Sequence, residues 1–449
     1  MQFQLTTDFI SQIEQLISVK DGKGLQELLH ELHFADVAEI LEELNSDDAT
    51  YLIKLLESEI TSEALMELDD DVREKILSRL SPKEIAEELQ EMDTDDAADI
   101  VAELDDEMQQ EVIEKIEDDL LAADIVELLN YDEDTAGALM AKELVKVKET
   151  WTVAGCVREM RRQAKNVTRV HSIYVTDKDG KLKGRLSLKD LLTAPEKAHI
   201  SEVYIPKVDY VTVNTENEEV ARIMHKYDLE AIPVINEDGI LMGRITIDDI
   251  MDFIKDEAEK DYQMAAGISS DVEADDSIWQ LTRARLPWLV LGLLGGLGSV
   301  YIMQGFEEAL TQYPILFFFT PLIAAMAGNV GVQSSAIIVQ GLANDNVKGS
   351  LFNRLLKEVG LALINGLALG LLVILFGTIV GQDQLVSITI AVSMLSVIIV
   401  AALVGTFVPI VLDKRGIDPA IATGPFITTS NDIFGIFLFF WISKIILHF

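Results

Sequence analysis

The sequence predicts a multi-domain membrane protein: an all-α superhelical N-domain, a duplicated α/β region, a connecting helix and a five-helix α transmembrane domain. Three observations lead there. The whole net charge of −40 falls within the first 276 residues. A stretch in the middle of that region is duplicated at a spacing of 59 residues. Five apolar runs fill the C-terminal part, each long enough to cross a ~30 Å hydrocarbon core as helix.

Residues 1–140 carry 41 Asp plus Glu against eight Lys plus Arg. The acids alternate with Leu, Ile, Val and Ala at helical spacing, which argues for short amphipathic helices and against a disordered acidic tail. Phe34 to Leu44 recurs as Pro82 to Met92, 48 residues later, and Asp47-Asp48 maps onto Asp95-Asp96. A second echo relates Leu68 to Asp71 with Leu104 to Glu107. Asp, Ser and Thr before apolar periods are helix-start signals, so an α-solenoid with carboxylates at its helix starts is expected. Such charge repels itself unless cations screen it, and nucleic acid is a poor partner. A solvated face kept for solubility is the alternative.

Residues 141–254 alternate strand-like and helical runs. Ile173 to Gly180 is matched by Ile232 to Gly239, and Gly184 to Asp190 by Gly243 to Asp249. Asp-Gly between apolar runs is a hairpin signal, so each copy should hold strand, turn, strand and a capped helix. The duplicated Gly-x-x-Ser/Thr-x-x-Asp resembles a pair of CBS domains, 141–200 and 201–254. That resemblance implies adenine nucleotide binding, ATP included, with Ser187, Asp190, Thr246 and Asp249 at the ribose. Capping of the following helix is the alternative role for each hydroxyl.

Residues 247–276 continue as an acidic connecting helix through Asp249, Asp252, Asp256, Glu257, Glu259 and Asp261, ending near Gly267. A solvated connector or a regulatory lever fits this position. The single cysteine, Cys156, excludes an intramolecular disulfide framework and fits a reduced cytoplasmic compartment. The opening residues show no secretory signal, so the C-terminal spans are expected to direct insertion.

Residues 277–449 hold eight acids and eight bases. Their apolar runs cover about 286–303, 315–341, 359–381, 385–412 and 421–447. Arg283 and Arg285 precede the first run, Lys348, Arg354 and Lys357 follow the second, and Lys414 and Arg415 follow the fourth. The positive-inside rule puts the N-terminal half in the cytoplasm and the C-terminus outside. Gly292, Gly295, Gly296, Gly298, Gly366 and Gly370 permit close helix contacts within or between subunits.

Asp432 stands midway along the last run, beside Thr428, Thr429, Ser430 and Asn431. A charged side chain in hydrocarbon costs ~2.5 kcal/mol or more, so it normally faces a polar interior and marks an ion pathway. A hydrogen bond to a neighbouring helix is the alternative. Gly328 and Asn329 form a second polar point in the spans, where Asn beside Gly can interrupt helical regularity at a cavity.

The order of these parts resembles the MgtE family of magnesium channels and transporters over nearly the whole chain. The most telling local matches are Pro321 to Gln333 and the run ending in Asn431-Asp432. The resemblance implies a homodimer in the lipid bilayer, with Asp432 of both subunits holding hydrated Mg²⁺ and Gly328, Asn329 and Asn431 lining the pore. It further implies closure by cytosolic Mg²⁺ bound among Glu63, Asp95 and Asp99 of the N-domain, Glu218 and Asp228 of the second CBS copy, and Asp249, Asp252, Glu257 and Asp261 of the plug helix. Two departures bear on this: Lys260 stands where the family tends to carry an acid, and Val332 where it carries an amide.

Oxygen-only surroundings favour a hard cation, as Mg²⁺ is. A broader divalent transporter taking Co²⁺, Mn²⁺ or Ni²⁺, and a non-conducting magnesium sensor, are the rival readings. An enzyme is the least favoured class, since no nucleophile–base pair, P-loop or zinc signature is present.

Overall fold

The computed structural model describes residues 4–165, 167, 169–269, 272, 276–343, 347, 350–422 and 424–449. Lys348, used above to orient the spans, lies outside them. The described chain divides into two compact units, Met1–Ile254 and Lys255–Phe449.

The first unit opens with ten short helices, α1 to α10, between Thr7 and Leu128. The 48-residue repeat appears as α3 (Phe34–Glu43) and α7 (Pro82–Leu89), which bury Val37, Ala38, Ile40 and Leu41, and Ile85, Ala86 and Leu89. Helix α7 starts because Ser81 and Glu84 exchange hydrogen bonds as a capping box and Pro82 presets the first turn. Polar rungs 30 residues apart tie successive turns of the superhelix. Lys54 pairs with Glu84 at 2.8 Å, the Ser58 hydroxyl donates to Glu88 at 3.2 Å, and Arg73 Nε donates to Glu103 at 2.9 Å.

The duplication appears as two three-stranded sheets. In the first, β1 (Val145–Lys148) runs parallel to β2 (Ile173–Thr176), which is antiparallel to β3 (Leu182–Leu186). Strands β4 (Val211–Thr212), β5 (Ala231–Ile235) and β6 (Leu241–Thr246) repeat that order. The expected hairpin turns place Gly180 and Gly239 at φ +84° and +80°, where only glycine is unstrained. The two turns also pair with each other, since Leu182 N–H donates to Gly239 C=O at 3.0 Å and Leu241 N–H to Gly180 C=O at 3.1 Å. Each sheet carries a helix between its first two strands, α11 (Val153–Gln163) and α13 (Asn217–Tyr227), and one after its last. In the first copy that last helix is α12 (Leu188–Thr193). In the second it is the longer α14 (Ile247–Ala266), which ends at Gly267 as the sequence suggests.

The second unit holds five helices long and apolar enough to cross a membrane. These are α15 (Ile278–Gln304), α17 (Ile315–Ala343), α18 (Leu351–Val380), α19 (Gln384–Asp413) and α20 (Gly424–Leu447), with the short α16 (Glu307–Gln312) after the first. Two of them start about eight residues before the apolar runs do, at Ser277 and Ser350, because serine caps begin the helix in a polar segment that hydropathy alone does not include. Of the glycines expected at helix contacts, Gly295 meets Thr429, Gly366 meets Leu395 and Gly370 meets Ala391, whereas Gly292 and Gly296 face open space. Helix α17 continues unbroken through Gly328-Asn329, contrary to the expected interruption. Gly328 and Gly331 are spent on close approach to α20.

Candidate functional site

In the first unit the acids converge at the start of α8 (Thr94–Ala102). One carboxylate oxygen each from Asp93, Asp95 and Glu143 lies within 4.8 Å of the other two. Thr94 organises the group: its N–H and hydroxyl donate to Glu143 at 3.2 and 2.9 Å, and its hydroxyl accepts from Lys142 N–H at 2.8 Å. Asp95 is 7% exposed, and one of its oxygens has no hydrogen-bond partner among the described residues. A buried carboxylate left in that state calls for an ion or a proton.

The electrostatics agree. Burial, the charge of Asp249 and those of Asp93 and Asp99 raise Asp96 to about 8. Burial and Glu143 raise Asp93 to about 6, against the pull of Arg244, whose Nη2 lies 3.4 Å away. Burial and Glu103 raise Asp99 to about 6, opposed by Arg73. Asp95 is raised well above the usual carboxylate range, by burial first and then by Asp96 and Asp249. Like charges held in a partly desolvated space disfavour ionisation, and a bound divalent cation would invert that preference. Three hard oxygen donors, one of them unpaired, suit Mg²⁺ or Ca²⁺.

Of the acids expected from the sequence, Asp249 acts on both Asp95 and Asp99 here. Glu63 is raised by burial and then by Glu67, and its own charge bears on Asp93 and Asp96. Glu218, in the first turn of α13, and Asp228, its left-handed C-cap at φ +50°, are exposed and do not join the group. Asp252 is exposed on α14, while Glu257 and Asp261 belong to the second unit. Lys260 lies 3.4 Å from Glu257, so the departure from the family pattern places an ammonium against one of the expected ligands. Sequence reasoning missed Asp93, Glu143 and Arg244. Asp93 was within reach as the cap of the repeated acid pair, but Glu143 and Arg244 belong to segments whose periodicity gives no hint of α8.

The nucleotide motif is tied to itself. Ser187 caps α12, accepting from Asp190 N–H at 3.0 Å and donating to its carboxylate at 2.6 Å. Asp249 accepts from Thr246 N–H at 2.9 Å and from its hydroxyl at 2.6 Å. Nearby, the Tyr174 hydroxyl, Arg244 Nε and His171 Nδ1 are buried without partners among the described residues. Burial pushes Tyr174 up to about 12 against the pull of Arg244.

In the second unit Asp432 is half-buried on α20. It shares a face with Thr428, and both lean on α17 at Gly328: a Cβ there would lie 3.0 Å from Thr428 Cγ2 and 3.6 Å from Asp432 Oδ1. Beside Gly328 on α17, Asn329 is exposed, and Ala325, Gln333 and Ala336 are exposed with it along the helix. Amides on the open face of a membrane helix are not lipid-facing groups; they belong against water or protein. Asn431 is the other residue of α20 expected at the pore. It is 1% exposed and turned onto Gly331. A further carboxylate went unnoticed because the third apolar run starts after it: Glu358 lies inside α18 and accepts from the Ser334 hydroxyl at 3.3 Å.

A carboxylate on a polar helix face within a five-helix membrane unit, joined to a CBS pair and an acidic solenoid, defines a class of ion-handling membrane protein. Residues 320–442 match the MgtE family model, described as divalent cation transporter. Residues 32–134 match the MgtE intracellular N domain, and 136–197 and 200–256 match the CBS domain. The chain is 36% identical over 331 residues to the magnesium transporter MgtE of Thermus thermophilus, covering 73% of each chain. It is 35% identical over 329 residues to that of Enterococcus faecalis, covering 73% of this chain and 72% of the other. The chain belongs to the MgtE family. Among solved structures it is similar to the cytosolic domain of the Mg²⁺ channel MgtE in complex with ATP, with TM-score 0.52 and 34% identity over 54% of this chain and 99% of that one.

Proposed function

We propose that this chain carries Mg²⁺ across a membrane through a pore built on Asp432, and that cytosolic Mg²⁺ held by Asp93, Asp95 and Glu143 favours its closed state. The observation that carries the pore reading is the half-buried Asp432 against Gly328, beside the exposed amides of Asn329 and Gln333. Mg²⁺ gives up water reluctantly, so one carboxylate per subunit plus amides that contact retained waters matches its demand.

The chain acts as a homodimer. Support comes from the polar face of α17, which needs a covering surface, and from the duplicated positions Leu188 and Ile247, and Leu192 and Met251. These four side chains are exposed by 42% and 36%, and by 78% and 60%. Apolar pairs repeated on both copies suit a self-complementary contact. The soluble region lies in the cytoplasm and the C-terminus outside, by the charge asymmetry of the short loops.

Regulation follows from repulsion. Two unit charges ~4 Å apart repel by ~4 kcal/mol at an effective dielectric of 20, and several such contacts exceed the few kcal/mol that separate two conformations. Cation binding removes that repulsion where Asp249 begins α14. ATP is taken as a second ligand, with the unpartnered Tyr174, His171 and Arg244 atoms available to it.

The test is Mg²⁺ flux into liposomes containing only the purified chain, over a range of Mg²⁺ on the cytoplasmic face. Flux that falls as that Mg²⁺ rises supports both parts. Absence of flux leaves a magnesium sensor, and equal flux of Co²⁺, Mn²⁺ and Ni²⁺ a broader transporter.

A further inference from the structure

Asn431 is the most enclosed polar side chain on α20 apart from Ser443, and neither atom of its amide has a hydrogen-bond partner among the described residues. The void it borders, lined by Val397, Ala401, Phe434 and Leu438 among others, has no room for a water molecule. Leaving a buried amide unbonded costs ~1–3 kcal/mol, so hydrogen bonding does not explain this placement.

Shape does. The Asn431 amide rests on the bare Cα of Gly331, where an added Cβ would overlap Nδ2 and come within 3.0 Å of Cγ and 2.8 Å of Ile427 Cγ2. On its other side Gly331 is backed by α19, because its carbonyl lies where a Cβ on Gly405 would fall. The α17 backbone is therefore held at Gly331 between Asn431 and Gly405. Asp432 follows Asn431 directly, about 100° round the helix. Its own seat, Gly328, is one turn before Gly331 on the same helix.

We infer that Asn431 is a positioning residue: keyed into Gly331, it fixes the roll of α20 and so aims Asp432 at Gly328. The importance of that aim for ion selection rests on the pore reading given above. Functional groups must be held within roughly 0.5 Å and 10–20° of their working geometry, which a helix free to roll does not provide.

Two measurements on the full-length chain separate the key from the pore. With Cys156→Ser as background, disulfide formation between Gly328→Cys and Asp432→Cys reads the aim directly, whatever the protein transports. Adding Asn431→Ala should slow cross-linking at least tenfold, and adding Asn431→Leu, which keeps the number and branching of side-chain heavy atoms, should restore most of the rate. An unchanged rate in Asn431→Ala, or no recovery in Asn431→Leu, overturns the inference. In liposomes, Asn431→Ala and Gly331→Ala should each lower the ratio of Mg²⁺ to Ca²⁺ flux about tenfold. The double variant should be no worse than Gly331→Ala alone, and multiplied losses would equally overturn the key. Asp432→Asn is the separate control: flux at wild-type level there removes the pore reading while leaving the cross-linking result to stand or fall on its own.

Discussion

Asp249 is held by Thr246 from two sides, through the backbone N–H at 2.9 Å and the hydroxyl at 2.6 Å. The last residue of β6 thereby fixes a carboxylate in the first turn of α14, where its charge bears on Asp95, Asp96 and Asp99. Replacing Asp249 by Asn keeps this anchorage but removes the charge. Because carboxylates are better magnesium ligands than amides, we expect inhibition of flux by cytoplasmic Mg²⁺ to shift to severalfold higher concentration. An unchanged inhibition curve removes Asp249 from the sensor.

Glu143→Gln tests the centre itself. It preserves the acceptor for Thr94 while withdrawing one of three charges, so Mg²⁺-dependent protection of the soluble region from protease should weaken by about tenfold in midpoint. Glu218→Gln, on an exposed residue outside this group, provides the comparison and should shift that midpoint far less.

Proton competition follows from Asp93, Asp96 and Asp99. Their folded-state values lie above the unfolded ones, so the protonated groups contribute stability that is fully present below about pH 4. In the absence of divalent cations this contribution is lost as pH rises through about 6 for Asp93 and Asp99 and about 8 for Asp96. Saturating Mg²⁺ should reverse the trend by stabilising the ionised forms. Melting temperatures from pH 5 to 9, with Mg²⁺ and with chelator, check this: curves that stay parallel would contradict it.

Glu88 is a second, independent proton site. Burial raises it to about 7 although Thr61 and Ser58 donate to it at 2.6 and 3.2 Å. By the same sign, ionising Glu88 weakens the solenoid as pH rises through 7. Glu88→Gln should flatten that part of the stability profile and raise the melting temperature at pH 8 by a few degrees, whereas Glu88→Ala should lower it at every pH by opening a cavity. Thermal unfolding of the purified chain distinguishes the two.

Asp432→Asn should keep the fold and lose most Mg²⁺ flux, since an amide cannot supply the charge that holds a hydrated divalent ion. Wild-type uptake by the variant in a transport-deficient host would contradict the assignment.

Much of this architecture was legible because it is periodic. The 48-residue repeat announced α3 and α7, the 59-residue repeat announced both sheets, and hydropathy announced five spans. Asp432 stood out by being charged where its neighbours are apolar. What periodicity does not encode is which distant segments meet. Glu143 and Arg244 reach α8 across the fold from 49 and 151 residues away, counted to Thr94 and Asp93. Nor does adjacency in sequence give Asn431 the surroundings of Asp432, since helix neighbours point about 100° apart and Asn431 packs on Gly331. The expected break at Gly328-Asn329 failed for a related reason, since glycine in a membrane helix serves close packing as readily as distortion.

The pairing of the two hairpin turns, through Leu182 with Gly239 and Leu241 with Gly180, makes each CBS copy the other's missing edge. Each half gives one backbone donor and takes one, so the exchange looks identical from either side. A half cut free from the chain would carry an open turn with the shape and polarity of its absent twin, and would recruit a second identical half. The duplication is thus a dimer that has been made unimolecular, its partner delivered at a fixed tether length and indifferent to dilution.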